Sequence, residues 1–127
     1  MAEPVAAPRP VEWVGSSQRD LRAFPDPVKQ VMGFAIYQAQ LGAKHPSAKP
    51  LKGFGGAGVL EVVEDHDGDT YRTVYTVRFR KAVYVLHSFQ KKSKKGARTP
   101  KHEIDLVEAR LKAAAKSYKE KYEDGKA

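Results

Sequence analysis

Between His87 and His102 the chain carries Lys91, Lys92, Lys94, Lys95, Arg98 and Lys101, with no acidic residue among them. Such a run either tracks a phosphate backbone or forms a solvated basic loop. A second cationic feature precedes it. In the stretch 71–80, strict strand alternation sends Tyr71, Tyr75, Val77 and Phe79 to one face and Arg72, Val74, Thr76, Arg78 and Arg80 to the other. Arginine suits a phosphoryl group because its planar fork is permanently charged and holds two oxygens at once. The same arginines could instead pair with Glu61 and Glu64 across a sheet.

Together these groups are what metal-free RNA cleavage needs. When the 2′-hydroxyl attacks its own phosphate, the protein supplies a base, an acid and cations for the extra negative charge. His87, at a strand end, titrates in the right range or is simply packed there. Lys91 and Lys92 can stabilise the pentavalent phosphorus, and either can act as acid if neighbouring positive charge lowers its pKa. The expected catalytic set is therefore Arg72, His87, Lys91 and Lys92, without metal or cofactor.

Rival chemistries lack their spacing. Asp65, Asp67 and Asp69 alternate around Gly68, but no glutamate closes an EF-hand loop, so a turn is expected. His45, His66, His87 and His102 have no zinc-ligand spacing, and no Gly-x-Ser-x-Gly nucleophile motif occurs. The glycines at 53–56 follow no phosphate-loop pattern, because the Gly-Lys-Ser/Thr ending is missing. With no cysteine in the chain, disulfides and thiolate metal sites are excluded.

The elements that must hold these residues follow from the pattern. Val11 to Val14 reads as a short strand, and Ser17 with Asp20 as a capping box for a short helix ending at Pro25. Asp26 and Pro27 start a longer helix with Val28, Val31, Met32, Ala35, Ile36 and Ala39 inward and Gly42 as its stop. Residues 45–58, rich in proline and glycine, form a loop. Three antiparallel strands follow near 60–64, 71–79 and 83–89, the first two joined by a hairpin turn at 65–69. From Lys101 a helix carries Ile104, Val107, Leu111, Ala115, Tyr118 and Tyr122 on one stripe. The fold class predicted is α+β, an antiparallel sheet in two layers with both N-terminal helices on one face and a C-terminal helix added.

At 127 residues, with 41% hydrophobic and 30% charged residues, the chain has the size and composition of one globular domain, expected over 11–122. A flexible lead over 1–10 and a frayed end over 123–127 complete the expected organisation. The net charge of +8 attracts polyanions, nucleic acid first. No apolar run is long enough to span a bilayer and the lead lacks a signal-peptide core, so a cytoplasmic protein without a membrane partner is expected.

Several segments resemble the RelE/ParE toxin superfamily, and within it the HigB-like, phage-derived branch. They are Pro-Leu-Lys-Gly at 50–53, Leu-Glu-Val at 60–62, Asp-Thr-Tyr-Arg-Thr-Val-Tyr at 69–75, and above all Val-Leu-His-Ser-Phe-Gln-Lys-Lys-Ser-Lys-Lys at 85–95. Thr-Pro at 99–100 and Glu-Ile at 103–104 follow, and the resemblance extends over about Val11 to Leu111. It implies a ribosome-dependent messenger RNA endonuclease, held inactive by a cognate antitoxin of helix-turn-helix type. It also implies that Arg72 and Lys91 or Lys92 serve the scissile phosphate and that Lys52 contacts RNA; Arg78 and Arg80 of the arginine-bearing strand and Lys94, Lys95 and Arg98 of the basic run are the further RNA-binding candidates that the charge pattern itself offers. The chain departs from the family where some members place a C-terminal tyrosine, so the acid and base roles stay open between His87 and Lys91. A ParE-like inhibitor that binds gyrase and cleaves nothing, or a non-catalytic relative that binds antitoxin or nucleic acid, are the alternatives.

Overall fold

The computed structural model describes residues 7–56, 58–91 and 99–123. In chain order the elements are β1 (Val11–Trp13), α1 (Ser17–Arg22), α2 (Asp26–Gln40), β2 (Ala48–Pro50), β3 (Val59–His66), β4 (Asp69–Thr76), β5 (Val83–Lys91) and α3 (Lys101–Tyr118). A π-helical turn, Lys119–Glu123, continues α3. The strands form one sheet in the order β1-β5-β4-β3-β2.

Local sequence accounts for most of the boundaries. Asp67 and Gly68, at φ 51° and 85°, turn β3 into β4 as a two-residue Asp-Gly hairpin. The aspartates around it are used inside the turn and the sheet: Thr70 donates to Asp65 and Gln90 to Asp69. At the end of α2, Gly42 takes φ 86°, and the amides of Gly42 and Ala43 donate to the carbonyls of Ala39 and Gln38. That is a Schellman stop, which needs the left-handed residue glycine supplies most cheaply.

Four local expectations are corrected. Ser17 is not a cap: it is buried and its hydroxyl donates to the Val85 carbonyl, while Ser16 occupies the cap position. The 45–58 loop contains the edge strand β2, where Pro50 costs nothing because an edge N–H has no partner to lose. β4 ends at Thr76, so the alternation stops before Arg78 and Arg80, and Phe79 packs with Tyr84 and Tyr118. On α3 the buried residue is Ala114 and not Ala115.

The sheet is mixed, because β1 pairs parallel with β5 while all other pairs are antiparallel. Apolar residues fill both of its sides. Val28, Met32, Ala35 and Ile36 of α2 lie with Leu21 and Phe24 on Leu60, Val62, Tyr71, Tyr75, Val83 and Val85. On the opposite face α3 sets Val107, Ala114 and Tyr118 against Val59, Val74, Tyr84, Leu86 and Phe89. The expected layer of two helices over the sheet is present, and α3 covers the other side of it. No helix among the described residues is long and apolar enough to cross a membrane.

The far end of α3 is clamped to β1. Lys121 Nζ donates to Glu12 Oε1 at 2.8 Å and Tyr122 Oη to Glu12 Oε2 at 2.5 Å. Burial works to raise the Glu12 pKa, but the hydrogen bonds from Lys121 and Tyr122 and the Lys121 charge outweigh it and hold the carboxyl below its ordinary value. A carboxylate with a depressed folded-state pKa contributes stability above its unfolded value and loses it as pH falls through the folded one. Glu12→Gln is therefore expected to lower the melting temperature near neutral pH, with the difference from wild type lost as pH falls from the ordinary carboxylate range through the lowered Glu12 pKa, followed by thermal scans. In the core, Met32→Ala is expected to cost about 2–5 kcal/mol in chemical denaturation, through the cavity it leaves. Phe34→Ala, on the exposed side of the same helix, should cost less than about 1 kcal/mol.

Candidate nucleic-acid interface

Arg72 faces α3 by regular alternation with Val74 along β4, whereas the candidate residues of β5 face it because of one irregularity. The β4–β5 register runs Val74 opposite His87 and then Tyr75 opposite Val85, leaving Leu86 as an extra residue in β5. Val83 and Val85 point to the α1/α2 side and Tyr84 and Leu86 to the α3 side. Unbroken alternation would send His87 back with Val85. The bulge instead puts His87 on the α3 side, stacked on Phe89 at 4.6 Å between ring centroids. Alternation from His87 through Phe89 carries Lys91 to that side as well.

Arg72 occupies the neighbouring row, opposite Val63 and Phe89. Its Nη1 donates to Glu61 Oε1 at 3.1 Å, and both side chains are buried, at 5% and 9% exposure. Thr99 completes the group: its hydroxyl donates to Glu61 Oε2 at 2.7 Å and lies 3.4 Å from Arg72 Nη1. The expected ion pair with Glu61 thus exists, and it is inside the protein and not on a solvent-facing strand. Lys49 sits beside Glu61 in register, and Pro46, Ser47, Lys49, Glu61 and Val63 line a shallow depression of about 320 Å³. Of the buried pair, it is Glu61 that lines this depression.

His87 is held from both sides. Its Nε2 lies 2.6 Å from Glu103 Oε1, and Arg110 Nη1 lies 3.3 Å from Nδ1 and 3.0 Å from the Leu86 carbonyl. A guanidinium only donates, so Nδ1 accepts and the ring proton lies on Nε2, facing the Glu103 carboxylate. Arg110 also reaches Ser16, and it passes so close to Gly15 that an added Cβ would meet its Cζ at 2.8 Å. Gly15, at φ 57°, is what lets the α3 arginine cross to the start of α1.

The remaining expected residues divide. Lys52, Arg78 and Arg80 lie toward the end of the sheet where β3 begins and β4 finishes, away from Lys91 at the end of β5. Lys52 and Arg80 are exposed. Arg78 donates to the Phe54 carbonyl and so ties Phe54 to the residues after β4. The expected row of strand arginines does not form; Arg72 alone of the three belongs to β4. Lys92, Lys94, Lys95 and Arg98 lie outside the described residues. Sequence reading gave no site role to Lys49, Glu103 or Arg110, Glu103 entering only as part of the Glu-Ile motif at 103–104. Their signals were faint: Lys49 stands in a segment without periodicity, and Glu103 and Arg110 are seven apart, two turns along one face of α3.

Removing one member of the buried pair strands the other. Glu61→Leu is expected to destabilise the protein by about 3–5 kcal/mol, and the double replacement Glu61→Leu with Arg72→Met to recover most of that loss. Urea denaturation of the single and double variants measures both, and simple additivity would show that the pair is not coupled.

The chain matches the family model described as phage derived protein Gp49-like, over residues 19–112. Among solved structures it is similar to a chain of the toxin-antitoxin complex RelBE2 from Mycobacterium tuberculosis. The identity is 20%, over 68% of this chain and 94% of that one, with a TM-score of 0.43. No curated protein gives a significant match. With the matched residues spanning all of α2, the strands β2 to β5 and the first part of α3, the chain belongs to the phage-derived Gp49-like family, the branch to which its own motifs point.

Proposed function

We propose that the chain is a RelE-type toxin of a type II toxin–antitoxin pair and that it cleaves messenger RNA at the ribosome. The observation that carries this reading is the buried Glu61–Arg72–Thr99 group, of which Glu61 lines the Lys49-bordered depression. A carboxylate beside a guanidinium is the minimal arrangement for phosphoryl transfer to an internal hydroxyl. Glu61 takes the proton of the 2′-hydroxyl, whose oxygen bonds to the adjacent phosphorus. Arg72 turns part of its fork from Glu61 to the phosphate oxygens and meets the added negative charge. The P–O5′ bond breaks, leaving a 2′,3′-cyclic phosphate and a 5′-hydroxyl, the latter protonated by a cationic acid. Lys91, on this side of the sheet, and Lys92, next in the chain, are the acids proposed.

His87 takes a different part from the one its residue type suggests. Both ring nitrogens are engaged by α3, so the proposed role is to hold β5 and the start of α3 in the relative position that keeps Thr99 on Glu61. Lys49, Lys91 and the lysines and arginine of 92–98 form the proposed RNA-backbone surface, with Lys52, Arg78 and Arg80 contacting RNA further along. The net charge of +8 supports an anionic substrate and an antitoxin with acidic character, here expected to be a helix-turn-helix protein. Acting on translated RNA places the protein in the cytoplasm.

The test is primer extension on RNA alone, on RNA with translating ribosomes, and with the Glu61→Gln and Arg72→Lys variants, each first shown by circular dichroism to be folded. Ribosome-dependent cuts are expected, reduced about 10²–10⁴-fold by Glu61→Gln and about 10²–10³-fold by Arg72→Lys. Lys49→Ala should weaken binding modestly and lower its salt slope by about one. Growth arrest with intact RNA would remove the nuclease reading and favour gyrase as the target. Cleavage unaffected by either variant would move the chemistry elsewhere.

A further inference from the structure

The large hydrophobic side chains left exposed among the described residues, Phe34, Tyr37 and Leu41, fall in one place. They stand at i, i+3 and i+7 along the outer side of α2 and its C-cap, exposed by 54%, 47% and 41%. Around them the chain is uncharged from Gln30 to Ala43, although 30% of all residues carry charge. A solvated helix face in so charged a protein would be expected to carry lysine or glutamate at these positions, as an apolar stripe at helical spacing is otherwise costly to leave in water. Gly33 adds a second feature. It is exposed, nothing stands within 4 Å of where its Cβ would be, and it sits beside Phe34, so another backbone can approach α2 closely there.

The C-terminal end of the stripe identifies what fits it. There α2 meets the segment leading into β1, with the Arg9 amide on the Gln40 carbonyl at 3.0 Å and Gln40 Nε2 on the Arg9 carbonyl at 2.6 Å. A hollow of about 320 Å³ opens beside Gly42, floored by Leu60 and Val77 and rimmed by Arg9 and Lys44, with no acidic residue lining it. The surface is therefore an apolar stripe that runs into a cationic end. We infer that it docks a partner protein through an amphipathic helix whose apolar side lies along Phe34, Tyr37 and Leu41 and whose acidic end sits between Arg9 and Lys44. A second copy of this chain is a poorer fit, because two chains of net charge +8 would be brought together.

This surface lies on the α1/α2 side of the sheet, whereas Arg72, Glu61 and His87 lie on the α3 side. Occupancy of one side leaves the other open, so the inference goes beyond the proposed function and does not depend on it.

The probe is a labelled 18-residue helical peptide with leucine at i, i+3 and i+7 and three glutamates in the following turn, compared with the same peptide carrying lysines there. Fluorescence anisotropy with the full chain is expected to show preference for the glutamate peptide. Binding should weaken at least about tenfold in Phe34→Ala/Tyr37→Ala. Lys44→Glu should weaken the glutamate peptide and strengthen the lysine one. These residues are exposed, so the variants should keep the wild-type melting temperature, and Glu61→Gln should leave peptide binding unchanged. Equal affinity for both peptides, binding that survives Phe34→Ala/Tyr37→Ala, or no binding would overturn the inference. A concentration-dependent dimer abolished by Phe34→Ala/Tyr37→Ala would overturn it in favour of a second copy.

Discussion

Burying the Arg72 guanidinium in this sheet is tolerable only because Glu61 comes with it. Two desolvated charges are stable when their geometry is good and their remaining polar atoms are satisfied, and each becomes a large liability alone. The Glu61–Arg72 pair is built around this requirement. The β3–β4 register sets Glu61 opposite Val74 and diagonal to Arg72, and Thr99 closes the second carboxylate oxygen just before α3 begins. Residues that stabilise the fold here are the same residues that could act on a phosphate, and the entry of α3 determines whether they are covered or open.

The second constraint is geometric. Because of the bulge at Leu86, both Leu86 and His87 turn toward α3, one into the apolar layer and the other into a polar bridge of Glu103 and Arg110. That bridge continues through Arg110 to Ser16, so β5, α3 and the start of α1 share one hydrogen-bonded connection. Gly15 belongs to it by absence of a side chain. Together with the Glu12 clamp, it pins α3 at its two ends, while apolar contacts hold the middle.

The two sides of the sheet are consequently specialised. The α1/α2 side buries aliphatic residues continuously and presents an uncharged helix surface to the outside. The α3 side mixes apolar residues with the buried charges of Arg72 and Glu61 and carries Lys91 at the end of β5. A protein of this size has little surface to spare, and separating an apolar surface from a cationic one allows each to meet a different kind of partner.

Much of this was legible in the order of residues. Helix and strand periods, the Asp67–Gly68 turn and the Gly42 stop are local properties, decided by neighbours within a few positions, and the structure follows them. The cationic character of the β5–α3 link and the Arg72–Glu61 alternative were likewise visible as charge and alternation. What sequence could not decide was depth and direction. Whether Arg72 faced solvent or the interior depended on which face α3 would cover, and α3 lies far along the chain. Whether His87 joined that face depended on one extra residue in β5, which breaks the period that sequence reading relies on. Lys49 became part of a site only because a three-residue edge strand pairs it with Glu61. Spacing determined the elements, whereas long-range pairing, with its desolvation and register, decided which charged groups would meet.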